Sequence, residues 1–438
     1  MRRGDVFVAL RGERFDGHQF VESVLQRGAA GALVDDSSRA WERLGRSGGG
    51  RGGVLAVPDT LAAYQQLARH HRDRFRIPVV AVTGSNGKTT TKDMVAAVLA
   101  ERGTVLKTEG NYNNRVGVAH TVLRLTKRHQ TAVIEMGVDQ KGQTTRLCEI
   151  ARPTHGLITN IGPDHLEFFG SMEASAESKA ELLAMLPADG AVALNADDAY
   201  FSYLRAQARC RVVSFGLSAD ADVRAEGIED VSRTDATFRL VVPGPRAGLR
   251  ARIRARGAHN VCNALAAAAI GRMLDVPASK IARGLGRFKP ASMRSQVQMN
   301  AGVTILNDCY NANPASMKAA IDLLAQLGVG KRTIAVLGDM LELGPTARDM
   351  HREVGAYAAD RGIGGLIACG DLGRAIAEGA REAGMAGDRV HTAADAGEAA
   401  AMAVQEVRRG DSVLIKASRG MRLERVVDAL MQKRRMLR

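Results

Sequence analysis

The chain has 438 residues and a formal net charge of +14, with 45% hydrophobic and only 4% aromatic residues. That length exceeds one compact core and predicts several domains. No apolar run approaches a membrane span or a signal-peptide core, which excludes membrane insertion and predicts a cytosolic, cytoplasmic protein. The basic excess is mostly Arg spread along the chain, densest at Lys433-Arg434-Arg435, and the single Trp and six Tyr provide few stacking platforms. A polyanionic small substrate suits that charge better than nucleic acid does. The five cysteines are scattered, with no Cys-x-x-Cys, and read as free thiols in a reducing compartment.

Residues 1–76 form a small first unit. A strand is predicted over 5–10, a polar turn over 12–18, a helix over 20–27 and a strand over 31–34. A Gly/Arg/Ser loop at 45–53, expected to be mobile, leads to a strand at 54–57 and a helix from Thr60 to about Phe75. Ile77-Pro78 marks the boundary.

The second unit, 77–290, opens with the stretch that organises the chain, Val79-Val80-Ala81-Val82-Thr83-Gly84-Ser85-Asn86-Gly87-Lys88-Thr89-Thr90-Thr91. A β-branched run stops at Gly84. A helix then starts at Lys88 and runs to about Glu101, with Met94, Val95, Val98 and Leu99 at helical spacing. A strand, a glycine loop and a helix N-terminus carrying Lys and Thr form a phosphate cradle. The backbone N–H groups and helix dipole favour phosphate, Lys88 adds a charge, and the Thr89 hydroxyl can ligate Mg²⁺. Gly84 precedes Gly87 by three residues rather than the five of the common phosphate loop.

A strand at 105–108 and an Asn-rich turn, Gly110-Asn111-Tyr112-Asn113-Asn114, follow. After a helix come strands at 132–137 and 157–162, the second running into Asp164-His165-Leu166-Glu167. Alternating strands and helices predict a mostly parallel sheet with its chemistry at the strands' carboxyl ends. Glu135 sits at such an end and is the natural second protein contact for Mg²⁺. His165 follows another and suits a metal or phosphate site. Residues 223–254 alternate differently and suggest an antiparallel insertion, and His259-Asn260 opens an Ala-rich helix.

The third unit, 291–438, repeats strand and helix without a phosphate loop. Strands are predicted at 303–306, 333–337, 366–368 and 412–415, and helices near Ala315, Thr346, Leu372 and Met421. The fold class is therefore α/β in three domains: a small N-terminal unit, a central phosphate-loop ATPase-like sheet domain and a C-terminal Rossmann-like domain.

The loop from Gly84 to Thr90, Glu135-Met136-Gly137, Asn160-Ile161-Gly162 with His165-Leu166-Glu167, Lys179 and His259-Asn260 together resemble the Mur ligase family. These are cytosolic ATP-dependent amide ligases of peptidoglycan synthesis, hence of cell-wall biogenesis, cell shape and division. The resemblance covers essentially the whole chain in the family's three-domain order, with the first domain binding the UDP-substrate. Residues 5–18, 110–114, 308–314 (Asp-Cys-Tyr-Asn-Ala-Asn-Pro) and 337–344 (Leu-Gly-Asp-Met-Leu-Glu-Leu-Gly) resemble members that add D-alanyl-D-alanine to the UDP-muramoyl-tripeptide.

The resemblance implies a two-step reaction. The tripeptide's terminal carboxylate attacks the γ-phosphate of ATP to give an acyl phosphate. The amine of D-alanyl-D-alanine then attacks the acyl carbon and phosphate leaves. By the same resemblance, Lys88 and its loop (Gly84, Ser85, Asn86, Gly87, Thr89, Thr90) hold the nucleotide phosphates. Thr89 and Glu135 hold one Mg²⁺, and His165 and Lys179 serve a second, with Lys179 working as a carbamate. Asn260 contacts adenine, Arg294 the nucleotide at the domain hinge, and Asp308 the ribose. Asn111, Asn113 and Asn114 face the muramoyl substrate, with Asn311 and Asn313 also on the substrate side. Ser418 and Arg419 face the incoming dipeptide. The protein is expected to act as a monomer.

The family's first domain normally begins with a strand and an Asp-Ser-Arg turn that helps hold uridine. Here Met1-Arg2-Arg3-Gly4 stands just after that point, so a start upstream of Met1 is expected. Three competing readings are a sister ligase adding another amino acid, a folylpolyglutamate synthase-like ligase and a basic phosphate-loop ATPase on nucleic acid. The first domain and the 308–314 stretch argue against the first two, and the sparse aromatics against the third. Whether the tripeptide's third residue is diaminopimelate or lysine is not encoded in these motifs.

Overall fold

The computed structural model describes residues 2–12, 15–38, 53–230, 234–244 and 248–436, with backbone alone at 230 and 433–436. Most of the loop expected at 45–53 lies outside the described residues, as do Glu13 and Arg14 of the 12–18 turn. Among the described residues the strands form three sheets, of three, nine and six strands.

The first sheet is parallel, in the order Val6–Val8, Gly31–Asp35, Gly53–Val57. Its helix Thr60–Asp73 begins where Asp59 accepts hydrogen bonds from the amides of Leu61 and Ala62, a side-chain cap for two otherwise orphaned donors. That helix packs on the central domain. Buried Arg72 gives its guanidinium to the carbonyls of Phe75, Ala151 and Arg152.

The nine-stranded sheet is built around Val79–Thr83, buried along its whole length. An unbroken β-branched run suits a parallel strand covered on both faces. Thr131–Glu135 and then Val105–Lys107 lie on one side of it. His155–Ile158, Ala191–Asn195 and Arg211–Gly216 lie on the other. The chain thus changes direction across the sheet at Val79–Thr83, and such a switch point opens a crevice at the strands' carboxyl ends. The helix Lys88–Leu99 covers one face with Met94, Val95, Val98 and Leu99 buried, as the spacing predicted. The Ala-rich helix Ala258–Met273 packs against it, with Ala264, Ala266, Ala267, Ala268 and Ala269 fully buried.

The antiparallel pairing expected at 223–254 is present, and these strands continue the main sheet. Val223–Asp230 pairs in parallel with Arg211–Gly216 through two residues, and Ala236–Val241 and Leu249–Ile253 then add antiparallel strands. With no crossover helix between them these strands must return antiparallel. The alternating burial of Leu249–Ile253 marks an edge strand covered on one face.

The six-stranded sheet runs Gln296–Asn300, Val303–Asn307, Ser412–Lys416, Thr333–Gly338, Gly365–Cys369, Val390–Ala393. Only the first strand is antiparallel, closing a hairpin at Ala301-Gly302. Gln296–Asn300, Val390–Ala393 and the helix Ala396–Glu406 are additions to the predicted elements. The last predicted helix starts at Glu424 rather than near Met421. Arg419–Met421 forms a separate 3₁₀ turn ended by a left-handed Arg422. All five cysteines are free. Among the described residues no helix is long and apolar enough to cross a membrane.

Candidate active site

The loop after Val79–Thr83 can be made only with its glycines in place. Gly84 has φ 132° and Gly87 φ 77°. A β-carbon on Gly84 would meet Thr159 Oγ1 at 2.1 Å, and one on Gly87 would meet Asn263 Oδ1 at 2.4 Å. The turn after the neighbouring strand holds the loop from beneath. Asn160 accepts from the Ser85 amide through its carbonyl and from the Asn86 amide through its side chain, both at 2.9 Å. The Thr159 hydroxyl donates to the Asn86 carbonyl at 2.6 Å.

Gly87 caps the helix Lys88–Leu99 and contributes no side-chain oxygen. The first-turn amides are thereby left for an external anion, the arrangement that suits phosphate. Lys88 folds back so that Nζ donates to the Gly84 and Ser85 carbonyls at 2.6 and 3.1 Å. Its charge is held at the mouth of the loop.

Glu135, the last residue of Thr131–Glu135, is 1% exposed. Its Oε1 accepts from the Thr89 hydroxyl at 3.0 Å and from Asn113 Nδ2 at 2.9 Å. Its Oε2 makes no hydrogen bond and faces Lys92 Nζ at 3.4 Å. A carboxylate and a hydroxyl paired beside such a cradle are hard oxygen donors of the kind that could hold Mg²⁺. Among the described residues no group of three or more His, Cys, Asp or Glu side chains could hold a metal ion.

A second buried carboxylate, Asp164, was not singled out from the sequence. Its Oδ1 receives the Ser85 hydroxyl at 2.6 Å and Lys179 Nζ at 3.1 Å, while Oδ2 has no hydrogen-bond partner. Burial pushes this carboxyl up, yet Lys179, Lys88 and the Ser85 hydroxyl outweigh burial and hold it below the usual carboxylate range. Lys179 is fully buried. It donates to Ser175 at 2.6 Å and lies 4.9 Å from the centre of the Phe169 ring. Burial lowers its ammonium below the ordinary lysine value, and Asp164 offsets this only in part. His165 does not meet Lys179 directly. It turns outward on a left-handed backbone and pairs with Glu342 of the third domain.

The opposite wall comes from the carboxyl ends of the six-stranded sheet. Lys416, 2% exposed, donates to Asp308 at 2.6 Å and to the Asn311 carbonyl at 2.8 Å. Arg294 lies over the Tyr310 ring at 3.9 Å, between two left-handed residues, Met293 and Ser295, in the linker joining the sheets. Asn313 caps the helix Pro314–Leu327 and reaches across to Asn86 Oδ1 at 2.8 Å. The cleft between these walls has a volume of about 640 Å³, and Asn260, Asn111, Asn113 and Asn114 also line it. Asn114 uses its side-chain oxygen to cap the helix Arg115–Leu123.

Four predicted residues stand off the cleft lining: Gly84, Lys179, Ser418 and Arg419. Ser418 accepts from the Leu341 amide at 2.9 Å and Arg419 pairs with Glu424. Lys92, Asp164 and Lys416 were not identified from the sequence, and Asn160 and Glu342 entered only as parts of motifs without a role. Lys92 stands one turn after Lys88 and Asp164 adjoins His165, so spacing could have found those two. Glu342 and Lys416 become neighbours only through the tertiary fold.

A short phosphate loop at the switch point of a parallel sheet, facing a second Rossmann-like sheet across one cleft, defines a two-walled phosphate-loop nucleotide enzyme. The chain belongs to the Mur ligase family. The profile "Mur ligase family, catalytic domain" matches residues 1–72, "Mur ligase middle domain" 82–271 and "Mur ligase, glutamate ligase domain" 293–419. The UDP-N-acetylmuramoyl-tripeptide–D-alanyl-D-alanine ligase of Bacillus subtilis is 38% identical over 434 residues, 99% of this chain and 91% of the relative. MurF from Acinetobacter baumannii superposes with a TM-score of 0.87 at 32% identity, covering 98% of this chain and 91% of that one. MurF from Thermotoga maritima, solved with ADP, gives 0.83 at 26% identity, covering 100% and 96%.

Proposed function

We propose that this chain is an ATP-dependent ligase that joins D-alanyl-D-alanine to UDP-N-acetylmuramoyl-tripeptide, giving the UDP-linked pentapeptide, ADP and phosphate. The observation that carries the reading is the single cleft with the Lys88 loop on one wall and Asp308, Asn311 and Lys416 on the other. The relatives named for this reaction match the chain from end to end. Residues 1–76 are assigned to the UDP-substrate, 77–290 to ATP and 291–438 to the C-terminal ligase domain. The reaction is placed in the cytoplasm.

The chemistry asks for alignment and charge neutralisation more than for a protein nucleophile. A tripeptide carboxylate oxygen attacks the γ-phosphorus and ADP departs. The dipeptide amine then attacks the acyl carbon, the C–O bond to phosphate breaks, and the amine proton is lost. Lys88 and the first-turn amides hold the β- and γ-phosphates, with Ser85, Asn86 and Thr90 shaping the cradle. Asn260 faces adenine, Asp308 the ribose and Arg294 the nucleotide at the linker. Asn111 and Asn113 lie toward the muramoyl substrate, and Asn311 and Asn313 on the substrate side of the third domain. Asn114 supports that turn as a helix cap. Ser418 and Arg419 reach the dipeptide only if the domain shifts.

Magnesium, when bound, supplies charge neutralisation for the phosphate oxygens. Thr89 and Glu135 fit one ion, because a buried carboxylate oxygen without a hydrogen bond stands beside a hydroxyl. His165 would serve a second ion once released from Glu342. The burial that lowers the Lys179 ammonium favours the neutral amine that reacts with CO₂ to form a carbamate. Carbamylation reverses the sign of that group and leaves Asp164 to be neutralised by a cation.

The test is mass analysis of the nucleotide-linked product after incubation with ATP, UDP-N-acetylmuramoyl-tripeptide and D-alanyl-D-alanine. Gain of the dipeptide minus water supports the reading. Gain of a single amino acid from a mixed pool, with none from the dipeptide, moves the chain to a sister ligase.

A further inference from the structure

Lys92 is 1% exposed, one helical turn after Lys88 on the phosphate-loop helix. Its Nζ stands 3.4 Å from Glu135 Oε2 and 3.7 Å from Asp93 Oδ1, and Asp93 pairs at 2.7 Å with Lys107 at the surface. A lysine buried this deeply needs a partner of opposite charge at its side. That partner is the carboxylate that also receives Thr89 and Asn113.

We propose that Lys92 is a positioning residue that holds the Glu135 carboxylate in place for a divalent cation through its second oxygen. The inference rests on the nucleotide reading above. The geometry divides the carboxylate's work. Thr89 and Asn113 hold Oε1 by hydrogen bonds, and neither bonds Oε2. Among the described residues Lys92 supplies the only cationic side chain paired with Oε2 within 4 Å. At 3.4 Å the contact is longer than an N⁺–H···O⁻ hydrogen bond of about 2.7–2.9 Å. It orients the carboxylate by charge without occupying the lone pair a cation would use. Partners of this outer kind typically govern metal affinity by about 10–100-fold.

The measurement is Mg²⁺-dependent ADP binding by calorimetry on the full chain, with Lys92→Met, Lys92→Arg, Glu135→Gln and the double variant Lys92→Met/Glu135→Gln. Lys92→Met is expected to raise the Mg²⁺ midpoint by about 10-fold or more. ADP binding without Mg²⁺ should be unchanged, and Lys92→Arg should restore most of the lost Mg²⁺ affinity. The double variant is expected to share the midpoint of Glu135→Gln, because Lys92 then has no charge to hold. A Lys92→Met midpoint equal to that of the parent chain overturns the proposal. So does a double variant clearly weaker than Glu135→Gln, and that comparison stands even if Lys92→Met alone does not fold. A parent chain whose ADP binding ignores Mg²⁺ would instead remove the magnesium reading of Glu135 itself.

Discussion

His165 Nδ1 lies 2.5 Å from Glu342 Oε2, and both residues hold left-handed backbones, at φ 51° and 65°. They bridge the groove between the nine-stranded and six-stranded sheets, beside a backbone bond from the Glu167 amide to the Glu342 carbonyl. A non-glycine residue in that region costs about 1–3 kcal/mol, so the contact is held by its surroundings on both sides. Glu342→Ala is therefore expected to loosen the groove. Small-angle scattering of the ligand-free variant should give a larger radius of gyration than that of the parent, with ADP and substrate narrowing the difference. Superimposable ligand-free profiles would show that the pair does not hold the domains together.

The loop's own geometry sets a second expectation. Lys88→Ala removes the charge at the mouth of the cradle and should lower the rate of ATP-dependent phosphate release by about 10²-fold or more. Gly84→Ala forces a β-carbon against Thr159 at a backbone angle that L-residues avoid. It should lose nucleotide binding and destabilise the domain by more than about 1 kcal/mol. Calorimetry with ADP and a thermal melt check both effects.

Lys179 separates two chemistries. As a carbamate it cannot be replaced by another cation, so Lys179→Arg should stay inactive. Lys179→Ala should regain part of its turnover when short carboxylic acids are added. An active Arg variant, with no acid rescue of the Ala variant, would mean that Lys179 works as an ammonium paired to Asp164.

His351 gives a pH dependence whose sign is fixed by its bonds. It is fully buried, and its Nε2 accepts from the Met340 amide at 2.9 Å while its Nδ1 pairs with the Ala347 carbonyl. Burial lowers its pKa in the folded chain, offset in part by the Ala347 bond. Below an unfolded value of about 6.5, the unfolded state takes up a proton that the folded state refuses. Stability therefore falls as pH drops from about 7 toward 5, until the folded imidazole also protonates. His351→Gln keeps an acceptor for Met340 and should reduce the slope of stability against pH by up to about 1.4 kcal/mol per unit. Chemical denaturation at pH 5, 6 and 7 reads this directly.

The phosphate loop, its strand and its helix were legible because every local signal agreed. The β-branched run, the two glycines and the apolar stripe at 94, 95, 98 and 99 each point to the same strand-loop-helix unit. The place of Glu135, at the end of a strand beside that loop, was legible from the same strand–helix alternation. The edge strands at 223–253 were harder. Their alternation showed an antiparallel pattern, but the link to the main sheet is two residues long and carries no sequence mark. Val390–Ala393 is short and contains little beyond one Val and one Thr to mark a strand. The roles of Lys92 and Lys416 depend on carboxylates 43 and 108 positions away, and helical or strand periodicity says nothing about such pairs.

The most direct test of an acyl-phosphate ligase follows the oxygen. UDP-N-acetylmuramoyl-tripeptide labelled with ¹⁸O in its terminal carboxylate is incubated with the chain, ATP and D-alanyl-D-alanine, and the released phosphate is analysed by mass. Acyl-phosphate chemistry predicts one ¹⁸O in each phosphate, because the carboxylate oxygen that attacks the γ-phosphorus stays with phosphorus when the amine displaces it. Phosphate released without label in step with pentapeptide formation would contradict it.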